Sequence, residues 1–386
     1  MKSIKCLLTK EKNYLKNKFS EEFIYKVGVI CSEYLGGEWE NININNINIQ
    51  NITGGNTNYV FKISLNDIKV TPVLLRIYGT DCDEEIFKDT LLFSILSEKE
   101  LGPKFLGYFP GGRLEEFIES RALTTEEFGY PSILKVLARK VACIHSLKVP
   151  LPKKSQIFEM IRSEIKKIKD ATTSDHFIKI LTTKVFNLKH PLGVTIQQLE
   201  EEVTLIENFV KQFNFNIVFS HNDIFEGNVI IRNNTKLERN KIFSNDENNS
   251  IIIIDYEYSC YNYRGFDFGQ IFCETGISYD ANFLHGYEIN QELMTNNENN
   301  LIFINEYVKE INKLNNIMIS GEQFEKDVSQ LLFEAKLFIQ IVNLYWGVWN
   351  IRQGLVSTVK TYNFTMHGLD RLALYYDKQH ELLNVK

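Results

Sequence analysis

The stretch VFSHNDIFEGNVII, residues 218–231, sets His221, Asp223 and Asn228 in a short polar run between two apolar ones. A later apolar run, IIIID, ends on Asp255. Two carboxylates and an asparagine amide supply hard oxygen donors of the kind Mg2+ takes. Asn and Asp also make ordinary turns, so a single stretch of this kind carries little weight. Two in order, each at the C-terminal end of an apolar run, point to a loop built to hold a metal.

The elements that must position these groups can be read from the pattern. His221, Asp223 and Asn228 have the H-x-D-x-x-x-x-N spacing of a kinase catalytic loop, and Asp255 falls where kinases place a metal-binding aspartate after a further strand. Upstream, ITGGNTNYVFKI puts Gly54, Gly55, Asn56, Thr57 and Asn58 where backbone N–H groups can lie over phosphates. Arg76, in VLLRIYG, occupies the place of a phosphate-contacting basic residue on the next strand. Its acidic partner is expected on the following helix, as Asp89 or, second, Glu85.

The first third alternates short β-rich runs with turns, after an opening helix near residues 20–35 and with a helix inserted at about 84–100. KFLGYF, PGG and RLEEFIE read as a hairpin. From about residue 131 the pattern is helical to about 213, β-rich over 216–265, and helical again to the C-terminus. This predicts an α+β, two-lobed architecture like that of protein kinases. A small N-terminal antiparallel sheet with one helix (1–119) would precede a larger, mainly helical C-terminal part (120–386). The Asn-rich segment 232–250 reads as a disordered loop at a hairpin tip.

Of 386 residues, 44% are hydrophobic and 24% charged, which is a globular composition. A formal charge of −6 leaves no basic footprint for nucleic acid. The N-terminus lacks the apolar core of a signal peptide. The run 337–351 is short for a membrane span and is interrupted by Gln340, Asn343 and Asn350, so a buried helix is expected. Six cysteines without a C-x-x-C pair read as reduced thiols in a cytosolic protein.

The strings GGNTN, VLLRIYG, LGPKFLGYFPGGRLEEFI, HNDIFEGN, IDYEYSCYNYRGFDFGQIFCE and YWGVWNIRQ resemble the choline/ethanolamine kinase family over nearly the whole chain, closest to choline kinase. The resemblance implies phosphoryl transfer from ATP to choline, the first step of the CDP-choline route to phosphatidylcholine. It also implies Mg2+, a cytosolic location and a homodimer. Carried over, Asp223 would be the base for the substrate hydroxyl, His221 would brace the loop, and Asn228 and Asp255 would hold Mg2+. Arg76 would contact phosphate, and Glu116, Phe117 and Ile118 would offer backbone groups to adenine.

A quaternary ammonium donates no hydrogen bonds, so its site needs aromatic faces and a carboxylate. Trp346 and Trp349 share a helix face. Tyr258, Glu274 and Tyr279 match family positions around the headgroup, with Glu274 attracting the cation over a distance. Tyr362 and Phe364 are candidates for a C-terminal aromatic wall. Phe225 departs from the Gln common in choline kinases, and ethanolamine kinases carry an apolar residue there. Gln270 and Ile271 replace a commoner Asn-His pair. The rival readings are an ethanolamine or dual-specificity kinase, an aminoglycoside kinase, and a catalytically inactive nucleotide-binding scaffold. An aminoglycoside would want a broad acidic cleft, and a scaffold would have lost the base or a metal ligand.

Overall fold

The computed structural model describes residues 4–11, 14–40, 42–52, 58–66, 70–172 and 176–383. The chain divides into two compact units, 1–120 and 121–386. In the first, five antiparallel strands pair in the order Ile47–Asn51, Asn58–Leu65, Val73–Tyr78, Gly112–Glu116, Phe105–Phe109. Alternation sends Phe61, Ile63, Leu75, Ile77 and Leu114 into a core shared with Phe23, Val27 and Ile30 of the helix Glu21–Leu35. Ser20 caps that helix by accepting the Phe23 N–H. The inserted helix, Asp83–Glu98, opens with three acidic residues that suit the positive end of its dipole.

The second unit is mainly helical. Helices Pro131–His145, Ile157–Ala171, Ile196–Val210, Arg264–Glu274, Asn297–Leu314, Gly321–Val356 and Phe364–Leu383 carry most of it. Among them, Ile217–Ser220 pairs antiparallel with Cys260–Tyr263, and Val229–Arg232 with Ile251–Ile253. The Gly321–Val356 helix is the one helix among the described residues long and apolar enough to cross a membrane, and 78% of its most apolar window is buried inside the protein. It packs closely on the final helix where two glycines meet. A Cβ at Gly368 would lie 2.7 Å from the Gly347 carbonyl oxygen, so no larger residue fits without separating the helices.

Two expectations are corrected. The helical pattern does not run unbroken to residue 213, because Phe177–Lys179 and Gly193–Thr195 form a small antiparallel pair. Pro191 and Gly193 interrupt any helix there, and buried Asp370 accepts the Thr183 N–H at 2.7 Å, which fixes the connection. The segment 232–250 is an ordered hairpin, Lys236–Glu238 with Lys241–Phe243. It docks on the Pro131–His145 helix, where Ser132 donates to the Glu238 carbonyl at 2.8 Å and Arg139 to Asn248 Oδ1 at 2.8 Å. These partners lie more than 100 residues away in sequence, so composition alone misread the segment.

Candidate active site

The strand Ile217–Ser220 delivers the loop 221–228, and buried Asp267, on the helix Arg264–Glu274, holds that loop in place. Its two carboxylate oxygens accept the backbone N–H of His221 at 2.9 Å and of Asn222 at 2.7 Å. His145 Nε2 donates to the same carboxylate at 3.0 Å, while the Tyr307 hydroxyl bonds His145 Nδ1 at 2.9 Å. Burial alone would raise the Asp267 pKa, but the hydrogen bond and charge of His145 carry it below the usual carboxylate range. Asn222 takes a left-handed backbone, φ 68°, which asparagine tolerates.

His221 Nδ1 accepts the Asp223 N–H at 3.2 Å, so its proton sits on Nε2, which donates to the Ile254 carbonyl at 3.0 Å. This ties the loop to the segment that ends in Asp255, and burial lowers the His221 pKa and keeps the ring neutral. The Asn228 amide donates to Asp223 Oδ2 at 3.0 Å and to the Asp223 carbonyl at 2.9 Å. The Asp223 carboxyl is pushed well above its ordinary pKa by burial first, then by Asp255, Glu274 and Glu257. A carboxylate so placed is a stronger base than one in water. His221, Asp223, Asn228 and Asp255 are thus brought together.

Among the described residues no three His, Cys, Asp or Glu converge as a metal cage. The donor set nonetheless suits Mg2+, which is bound by one or two carboxylates together with substrate phosphates. Burial first, then the neighbouring carboxylates Asp255, Glu274 and Glu257, disfavour the charge of Asp223, so a cation placed beside it would be stabilised.

In the first unit, Arg76 does not pair with Asp89 or Glu85. Its Nε donates to Glu115 Oε1 at 2.6 Å, on the neighbouring strand. Asp89 pairs with Arg113, the residue directly across from Arg76, and Arg113 Nε also reaches Glu115 Oε1, at 2.7 Å. Two arginines on adjacent strands share one buried carboxylate because residues two apart on a strand face the same side. Burial would raise the Glu115 pKa, but Arg76 and Arg113 lower it. The Arg-x-Glu spacing of 113–115 was the available signal, and Arg113 was missed. Asn58 Oδ1 accepts the Gly79 N–H at 3.1 Å. The N–H of Glu116 is committed to the Lys104 carbonyl at 2.9 Å. Phe117 lies under Lys62, 4.2 Å from the ring centre, and Ile118 is buried. Gly54, Gly55, Asn56 and Thr57 lie outside the described residues.

Aromatic rings of the second unit form a continuous series, each in contact with the next. Tyr258 meets Trp346 at 5.7 Å, Trp346 meets Trp349 at 5.2 Å, and Trp349 meets Phe364 at 6.1 Å. Phe364 meets Tyr362 at 4.7 Å, Tyr362 meets Tyr279 at 6.1 Å, and Tyr279 meets Phe225 at 6.0 Å. Both candidate wall residues join it. Trp346 is buried, its indole donating to Gln270 Oε1 at 2.6 Å, which accounts for Gln270, whereas Trp349 is half-buried. Ile271 is wholly buried.

Glu274 differs from expectation. It is buried in an ion pair with Arg371 and accepts the Tyr279 hydroxyl at 2.8 Å, so its charge is already matched. Arg371 is oriented by Asn343 Oδ1 at 3.1 Å and by His367 Nε2 at 3.2 Å. With Nε2 accepting, the His367 proton sits on Nδ1 and is shared with the Tyr362 hydroxyl. Glu226, beside Phe225, accepts from Thr125 Oγ1 at 3.0 Å with one oxygen, while its other, buried oxygen has no partner among the described residues. Burial, then Glu274, pushes its pKa up to about 8.

Burial first, then Arg371, holds the His367 pKa well below that of free imidazole. Below a pH of about 6.5 the unfolded chain gains a proton here that the folded one refuses, so stability falls with falling pH, by up to about 1.4 kcal/mol per pH unit. His367→Gln should flatten the Tm profile between about pH 7.5 and 5.5 relative to the parent. Parallel profiles would refute this.

A five-stranded antiparallel unit, a helical unit, and a loop with base-type and metal-type residues define a protein-kinase-like phosphotransferase. Its fold matches the crystal structure of a choline kinase from Cryptosporidium parvum with a TM-score of 0.71 and 24% identity, covering 93% of this chain and 96% of that one. Residues 49–376 match the profile of the choline/ethanolamine kinase family, to which the chain belongs. Choline kinase B2 of Caenorhabditis elegans is 31% identical over 94% of this chain and 93% of its own length. A human choline/ethanolamine kinase is 29% identical over 99% and 92% respectively. ATP is the co-substrate of this kinase family.

Proposed function

We propose that this chain transfers the terminal phosphoryl group of ATP to the hydroxyl of choline, giving phosphocholine as the first step of the CDP-choline route to phosphatidylcholine. The observation that carries this reading is the aromatic series from Tyr258 to Phe225, which ends on the loop that bears Asp223. Faces of this kind suit an onium head that can form no hydrogen bonds.

In this reading Asp223 accepts the hydroxyl proton, and His221 and Asp267 keep its loop in register. Asn228 and Asp255 hold Mg2+, which when bound neutralises charge on the phosphates. Arg76 contacts phosphate, and Glu116, Phe117 and Ile118 offer backbone groups to adenine. Positioning and charge neutralisation do most of the work because the transition state is loose. The enzyme works in the cytosol, in keeping with its free cysteines, and as a homodimer, in keeping with the family resemblance.

An ADP-release assay with Mg-ATP, comparing kcat/KM for choline and ethanolamine, tests the substrate. A preference for ethanolamine would overturn it. Dual specificity is the second reading, favoured by the similarity to a human protein named choline/ethanolamine kinase. Trp349→Ala should raise KM for choline by about 5- to 30-fold with little change in kcat, the loss of one cation–π face worth roughly 1–2 kcal/mol. An unchanged KM would return Trp349 to the core.

A further inference from the structure

Strand register sets Arg76 and Arg113 directly opposite each other, an arrangement that like charges disfavour. Gly112 holds the two strands close, since a Cβ there would lie 2.2 Å from the Arg76 carbonyl oxygen. Glu115 relieves the repulsion. Its side chain is 2% exposed, and both arginines donate an Nε–H to its Oε1, at 2.6 and 2.7 Å.

The two arginines are not equivalent. Arg113 is buried and committed: it also pairs with Asp89, reaches the Tyr78 hydroxyl at 3.4 Å and lies over Phe93, 4.2 Å from the ring centre. Arg76 is 25% exposed and bonded through Nε, and its two Nη groups have no partner among the described residues. A guanidinium held at Nε keeps its plane, and its end-on Nη pair remains a fork for the oxygens of an anion. Because Glu115 is shared with Arg113, its charge does not cancel that of Arg76.

We propose that Glu115, balanced by Arg113, is a positioning residue that aims the Arg76 guanidinium at the nucleotide phosphates, the task expected of Asp89. The inference rests on the phosphate-contacting role given to Arg76 above.

Equilibrium titrations compare Mg-ATP with adenosine, which has no phosphate. The proteins are the parent, Arg76→Gln, Arg76→Lys, Glu115→Gln and the double variant with Gln at both positions. Arg76→Gln and Glu115→Gln should each weaken Mg-ATP by about tenfold or more and leave adenosine within about twofold. The double variant should bind no more weakly than Arg76→Gln, because Glu115 acts through Arg76. Arg76→Lys should lose about fivefold or more, since one nitrogen cannot both bond Glu115 and fork a phosphate. That variant decides the matter should Glu115→Gln fail to fold. Undiminished Mg-ATP binding or an equal loss of adenosine in Glu115→Gln, additive losses in the double variant, or parental binding in Arg76→Lys overturns the positioning role. An Arg76→Gln variant that binds Mg-ATP as the parent does refutes the phosphate reading of Arg76 itself.

Discussion

Asp223→Asn lowers kcat by about 10³-fold while the affinity for ATP stays within about threefold. The substitution keeps the size of the side chain and removes the carboxylate that would take the hydroxyl proton. The parent carboxyl is strongly basic because burial and then Asp255, Glu274 and Glu257 disfavour its charge, and an amide has no such capacity. One hydrogen bond of the loop, from Asn228, reaches the Asp223 carboxylate, and the oxygen of an asparagine can still accept it; the others run through other atoms, since Asp267 holds the His221 and Asn222 amides and His221 holds Ile254. The loop therefore keeps its form. Single-turnover rates together with nucleotide titration measure the effect, and retained turnover would remove Asp223 from the base role.

Asp267→Asn should cost about 2–4 kcal/mol of stability and also lower kcat, by about 10²-fold. The parent carboxylate accepts three N–H donors in a fully buried place: two loop amides and His145. An asparagine can accept at one oxygen only, and its NH2 would face a second donor, leaving a buried N–H unpaired. The loss reaches the reaction through the position of Asp223, two residues from His221. Thermal melts and kcat at a temperature well below Tm separate the two effects. A folded variant with undiminished kcat would make Asp267 a structural residue alone.

Legibility followed sequence distance. The loop 221–228 could be read because its chemistry is packed into eight residues, with flanking apolar runs that specify strands. The sheet, the inserted helix and the paired tryptophans were legible for the same reason, since their periodicities of 2 and 3.6 are local. The partner of Arg76 was not. The choice between Asp89 and Glu115 depends on strand register, and register sets Arg113 opposite Arg76.

What the sequence determined by itself is the family, the reaction type, and the residues that supply oxygen donors and aromatic faces. Those depend on side-chain identity and short spacing. Only the tertiary structure decided how each charge is matched: Glu274 by Arg371, 97 residues on, and Asp267 by His145, 122 residues back. It also decided that Phe225 meets Tyr279. A buried charge must find its partner wherever packing brings one, and packing is settled by the whole chain at once.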